Sequence, residues 1–140
     1  IFPTILDAVN MEVPQNLPGL NLWDNLKSEK EFDRNIIFGE AYGHDIIDKD
    51  NPEASLGYLW CIEGDWKLIL SYDGVLEGGN GVYDFTHNEV RSEPIRLYKI
   101  TEDPFEKKNL ASEYPDKVEQ LKEKIEAWYP LNERKLLTKN

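Results

Sequence analysis

Apolar positions change their period several times along the chain, and each change marks an element. Over residues 1–13, IFPTILDAVNMEV, Pro3 fits the first turn of a helix, and Ile5, Leu6 and Val9 fall on one helical face. A short helix is predicted there, marginal in isolation. Pro14, Pro18 and Gly19 then punctuate a loop, after which Leu22, Trp23 and Leu26 give one further helical turn. This stretch is apolar but poorly periodic, and it would pack best against something larger. From residue 36 the period shortens. Ile36, Ile37, Phe38 and Tyr42 in IIFGEAY favour a strand, with Gly39 marking a bulge or a close approach. The polar run GHDIIDKDNPEAS, with a turn at Asn51-Pro52, separates it from LGYLWCIEGDWKLILSY. Gly64-Asp65 divides that segment into two strands with the spacing of a primed two-residue turn.

Residues 73–94 hold Gly74, Gly78, Gly79 and Gly81 without a sustained period, which predicts a long loop with a short extended piece at Gly81 to Phe85. Ile95, Leu97, Tyr98 and Ile100 predict a fourth strand, and Pro104 bars its continuation. The last element is a helix opened by Pro115, with Asp116 and Glu119 at its positive end and an apolar stripe of Val118, Leu121, Ile125 and Trp128. Pro130 stops it, and the tail beyond, with Leu136 and Leu137, is weakly periodic. The short connections favour antiparallel pairing, because parallel neighbours need helical crossovers. The expected fold is therefore α+β: a four-stranded antiparallel sheet packed against a C-terminal helix, with a short N-terminal helical segment.

Charge narrows the partners. The 140 residues carry 27 acidic and 16 basic side chains, a formal net charge of −11, so the average field repels nucleic acid, anionic lipid and sulfated or phosphorylated ligands. The bases are interspersed with acids, as in KVEQLKEKIE, in the manner of a solvated helix face. No apolar run is long enough to span a bilayer. The single cysteine, Cys61, excludes an internal disulfide, and its place in a predicted strand makes it a small core hydrophobe.

Chemistry is sparse. Ser55, Ser71 and Ser92 lack the G-x-S-x-G elbow, and His87 has no partner at ligand spacing. His44, Asp45, Asp48, Asp50 and Glu53 resemble an oxygen-rich calcium loop, but Pro52 and Glu53 stand where that pattern wants a ligand and then glycine, so the segment reads as a solvated acidic turn. Glu40, Tyr42, His44 and Asp45 sit at the end of the first predicted strand. They read either as polar groups at a rim, where ligands are met, or as caps of a loop.

In order, IFPTILDAVN, LPGLNLW, RNIIFGEAYGHD, LWCIEGDWKLIL, RLYKITEDPFEKKNLA and a final helix closing in Trp128 resemble the C-terminal segment of sulfatases, in the arylsulfatase branch of the alkaline phosphatase superfamily. LYKITEDPFEKKNLA is the most specific piece, similar to L-Y-D-L-x-x-D-P-x-E-x-x-N-L-A with Lys99 in place of the commoner Asp. The resemblance implies hydrolysis of sulfate esters or sulfamates, with a formylglycine made in C/S-x-P-S-R and a calcium ion, both in an N-terminal catalytic domain. Neither belongs to this segment, since Ile-Glu-Gly follows Cys61, and no catalytic or metal residue is expected in it. It implies that residues 1–27 end that domain and that residues 28–140 form the C-terminal subdomain, which packs on the catalytic domain and shapes the cleft. His44, with Asp45, Tyr42 and Glu40 behind it, is then the expected contact for a sulfated carbohydrate. The chain is expected to be a fragment, inactive alone and prone to self-association through the face left uncovered, from an enzyme exported to periplasm, lysosome or exterior. The alternative is a free-standing glycan-binding or interaction module using Tyr58, Trp60 and Trp66 as a stacking surface.

Overall fold

The computed structural model describes residues 1–17, 19–28, 34–43, 48–72 and 93–131. They fall into two compact units, Ile1–Arg34 and Asn35–Asn140. In the first unit, α1 (Phe2–Ala8) carries the buried Pro3 in its opening turn. It ends in a left-handed Asn10, φ 58°, with Asn10 N–H donating to Asp7 O at 2.9 Å and Met11 N–H to Leu6 O at 2.8 Å. That is a Schellman closure, in which two carbonyls left over by the helix are satisfied. The predicted second turn is α2 (Trp23–Ser28).

The second unit is the predicted α+β layer. Strands β1 (Ile36–Tyr42), β2 (Leu56–Glu63), β3 (Trp66–Ser71) and β4 (Ile95–Lys99) pair antiparallel in chain order. Gly64 takes φ +56° at the first position of the β2–β3 turn, a conformation open to glycine at little cost. A 3₁₀ turn, Pro52–Ser55, leads into β2. The predicted extended piece at 81–85 and the tail from residue 132 lie outside the described residues.

Period-two alternation sends Leu59, Cys61, Leu68, Leu70 and Leu97 to one face, all with no exposed surface. There they meet Val118, Leu121 and Ile125 of α3 (Pro115–Trp128), spaced three and four so that they share one stripe. Each such side chain contributes about 1.5–3 kcal/mol on burial, so the layer needs no covalent staple. Rings fix the helix at its two ends. Trp128 stacks on Phe38 at 5.0 Å and 7° between planes, and Tyr114 meets Trp66 at 5.0 Å.

The segment after β4 closes the sheet's last edge. Asn109 Oδ1 accepts from Leu97 N–H and Ala111 N–H, its Nδ2 donates to Ile95 O, each at 3.0 Å, and Leu110 N–H donates to Leu97 O at 2.8 Å. An exposed row of strand donors and acceptors is an aggregation template, and this side chain occupies it. The Asp103-Pro104 corner that brings Asn109 back is held by Lys108 N–H donating to Asp103 Oδ2 at 2.9 Å.

Candidate functional site

Both long connections of the sheet leave from one end. At that end Gly43 N–H donates to Ser55 O at 2.7 Å, Ser71 N–H to Pro94 O at 2.9 Å and Tyr72 N–H to Gly57 O at 2.9 Å, so the connections after β1 and after β3 share a narrow base. The final turn of α3 arrives at the same place. Tyr129, just past it, puts its hydroxyl 2.7 Å from that of Tyr42.

Of the four expected site residues, the structure brings Glu40 and Tyr42 together here, and His44 and Asp45 lie outside the described residues. Glu40 is exposed and stands opposite Leu59 in the β1–β2 ladder. The register slips between Ala41 and Tyr42, and the Tyr42 ring packs against the core beneath α3. Burial, the Tyr129 hydrogen bond and the carboxylates of Glu40 and Glu53 all push the Tyr42 phenol well above its ordinary range, so it stays a neutral donor and acceptor. Tyr72, buried beside Glu126, is pushed up to about 12. The sequence reading missed Tyr129, because nothing in its neighbours marks it as the partner of Tyr42. The acidic turn keeps a local order of its own: Asp50 N–H donates to Asp48 Oδ1 at 2.9 Å, and Lys49 pairs with Asp50 at 2.7 Å.

The sheet face away from α3 holds the second aromatic group. Lys67 lies 5.9 Å from the Trp60 ring centre and Arg96 lies 5.5 Å from that of Tyr58. Glu106 neutralises Lys67 at 2.5 Å. Trp66, which the alternative module reading groups with Tyr58 and Trp60 in one stacking surface, lies instead on the α3 side against Tyr114. The β2–β3 register explains the split: Trp60 pairs with Ile69 and Trp66 with Glu63, positions on opposite faces.

The described residues do not fit a formylglycine or a calcium ion. Cys61 has no exposed surface, its thiol is pushed by burial up to about 11, and Ile-Glu-Gly follows it. Ser55 and Ser71 are buried as well. Among the described residues no cluster of three or more His, Cys, Asp or Glu could hold a metal, and no described helix is long and apolar enough to cross a membrane.

No protein-family model matches the chain. Arylsulfatase K of Xenopus laevis is 24% identical over 127 residues, which cover 89% of this chain and 20% of that protein. Among solved structures, a Bacteroides fragilis protein assigned as a sulfatase superposes with TM-score 0.60 at 17% identity, over 91% of this chain and 23% of its own. A structure holding its substrate D-glucosamine-2-N,6-O-disulfate superposes with TM-score 0.58 at 23% identity, over 90% of this chain and 22% of its own. A Bacteroides thetaiotaomicron protein of glycosaminoglycan metabolism gives TM-score 0.53 at 23% identity, over 91% and 24%. The chain thus spans about a fifth of the length of the curated relative it matches. Its sequence and fold are similar to sulfatases along nearly all of its own length and along a small part of theirs, the relation that a sulfatase subdomain bears to the whole enzyme.

Proposed function

We propose that this chain is the C-terminal subdomain of a sulfatase that hydrolyses sulfate esters or sulfamates on a carbohydrate, and that it packs on a catalytic body and frames the substrate cleft. The observation that carries the reading is the asymmetry of coverage, nine-tenths of this chain against about a fifth of arylsulfatase K. Formylglycine and calcium would belong to the catalytic body. The subdomain would supply the end of the sheet from which the connection after β1 departs, with Glu40 and Tyr42 at its base and His44 and Asp45 within it. A sulfated amino sugar is the favoured substrate class, since one structural relative is held with D-glucosamine-2-N,6-O-disulfate. The net charge of −11 favours recognition of the sulfate itself by the body rather than by this subdomain.

The test is direct. The purified chain is expected to leave an aryl sulfate unhydrolysed above buffer and to bind the disulfated glucosamine weakly in an NMR titration. Turnover by the chain alone would overturn the assignment of the reactive centre to another body. Tight binding of the sugar would favour the free-standing glycan-binding module.

A further inference from the structure

Acids outnumber bases 27 to 16 in this chain, so a cation finds a carboxylate easily. Lys67, Lys99, Lys108, Lys117, Lys122 and Lys124 each do so. Among the described residues Arg96 makes no such pair: its guanidinium lies 5.5 Å from the centre of the Tyr58 ring, and its Nη2 donates to Ser71 Oγ at a long 3.4 Å. Its Nε is buried and has no hydrogen-bond partner among the described residues. A ring contact supplies no oxygen to the five N–H donors of a guanidinium. A buried donor without an acceptor raises the free energy of the fold, and an oxygen brought to it recovers that loss.

The ladder decides what stands beside this cation. Tyr58 pairs with Ser71 and Ile69 with Arg96, so Tyr58, Ser71 and Arg96 share the sheet face away from α3. They also share one end of the sheet, since Ser71 N–H donates to Pro94 O, where the connection after β3 returns. Glu40 and Tyr42 stand at that same end, on either side of Ala41, the partner of Tyr58.

We infer that Arg96, with the Ser71 hydroxyl beside it, is a subsite for a sulfate group carried by a sugar, one other than the group being hydrolysed. The inference rests on the sulfatase reading above for the source of its ligand, and it adds a contact to that reading. A guanidinium matches the shape of an oxyanion and pairs with it through two N–H groups at once. A hydroxyl that accepts one bond, as Ser71 Oγ does from Nη2, has an O–H to offer a further oxygen. The reacting sulfate stays with the body, in keeping with the net charge of −11, and one half-buried cation, little screened by salt, answers a second anion. D-glucosamine-2-N,6-O-disulfate, held by a structural relative, is a sugar of this make-up, with a second sulfate left over when one is removed.

The experiment follows the Nε–H resonance of Arg96 and the Ser71 amide by NMR in the nitrogen-labelled 140-residue chain. The chain is titrated with D-glucosamine-2-N,6-O-disulfate, with D-glucosamine and with sodium sulfate at constant ionic strength. Arg96→Gln is titrated in parallel with Lys107→Gln, which removes an exposed cation elsewhere, and backbone amide spectra verify the fold of both. The disulfate is expected to shift both wild-type resonances, D-glucosamine to leave them in place, and sodium sulfate at the same concentration to shift them less. Arg96→Gln should weaken binding of the disulfate about tenfold, with Lys107→Gln matching the wild type. A disulfate titration that moves neither wild-type resonance would overturn the subsite, and so would undiminished binding by folded Arg96→Gln. Equal shifts with D-glucosamine would make this a contact for the sugar ring, and equal shifts with sodium sulfate a site indifferent to sugar; either result overturns the proposal. The subdomain reading fails separately, through turnover of an aryl sulfate by the chain alone, whatever the Arg96 resonance does.

Discussion

The indole of Trp60 lies across Gly39, its partner in the β1–β2 ladder, so closely that a Cβ on Gly39 would stand 2.2 Å from Trp60 Cζ2 and 2.4 Å from Cε2. A glycine in a strand weakens it unless something fills the space, and here a cross-strand ring does. Gly39→Ala therefore has to displace an indole that also lies near Lys67. The expected loss is about 1–3 kcal/mol of unfolding free energy, measured by urea denaturation followed at the amide circular dichroism band. In a Trp60→Ala background the same substitution should cost little or stabilise, since alanine outranks glycine in a strand once the ring is gone. Equal costs in the two backgrounds would show that the ring does not set the requirement.

Glu63 ties the β2–β3 hairpin to α3 through two cations, Lys124 and, at 3.3 Å, Lys117. The Lys124 hydrogen bond, more than the Lys117 one, holds the Glu63 carboxyl below its ordinary value against the opposing effect of burial. A depressed carboxylate contributes stability above its unfolded pKa of about 4.3 and loses it as the pH falls through the folded value. Glu63→Gln should thus be less stable than wild type by about 1 kcal/mol at pH 7, modest because all three side chains keep solvent contact. The gap should stay level down to about pH 5.5 and close below about pH 4. A gap independent of pH in urea melts would assign the effect to packing.

Asn109 is the joint of the most specific sequence motif. Asn109→Ala removes three hydrogen bonds and leaves Leu97 N–H and Ile95 O at the sheet edge without their side-chain partner. With about 1 kcal/mol for each bond and some recovery from water, a loss of about 2–3 kcal/mol is expected. Hydrogen exchange should show the Leu97 amide losing protection ahead of the Leu68 amide in the sheet interior. Asn109→Asp keeps the acceptor and loses the donor, so its cost should fall between wild type and alanine. Leu97 exchanging no faster in Asn109→Ala would remove the edge from the account.

Local rules carried much of the architecture in the sequence. Alternation in LGYLWCIE and WKLILS, a two-residue turn at Gly64-Asp65 and the three-and-four spacing of Val118, Leu121 and Ile125 are each properties of neighbours, and the sheet and its covering helix follow from them. The opposite faces of Trp60 and Trp66 were also legible, since a two-residue turn fixes the register and the register fixes the side of each ring. Other features depend on partners distant in the chain. Asn109 appears in the sequence only as one letter of the motif LYKITEDPFEKKNLA, and its bonds go back to β4, 12 and 14 residues earlier. Tyr42 reads as a rim residue, but a register slip at Ala41/Tyr42 and a hydroxyl 87 residues away decide what it touches. No local pattern encodes a bulge of that kind.

The Tyr42–Tyr129 pair closes the base of the candidate site, and its chemistry fixes how the site should answer to alkali. Replacing one tyrosine by phenylalanine removes the 2.7 Å bond and leaves the other hydroxyl to half-buried surroundings, at a cost of about 0.5–1.5 kcal/mol near pH 7. Replacing both removes donor and acceptor together, so Tyr42→Phe/Tyr129→Phe should cost less than the sum of the single changes. The sign of the pH effect follows from the raised Tyr42 phenol. In the unfolded chain a tyrosine ionises near pH 10, whereas in the native state Tyr42 still holds its proton there. The native state then binds more protons, and stability falls as the pH rises through 10. Tyr72 and Tyr98, also raised by burial, add to the same fall. Tyr42→Phe should therefore lose stability less steeply than wild type between about pH 10 and 11 while keeping the share due to the other two phenols. Parallel curves for the two proteins in pH-dependent urea melts would mean that Tyr42 ionises as freely folded as unfolded, and the half-buried hydroxyl pair would not stand.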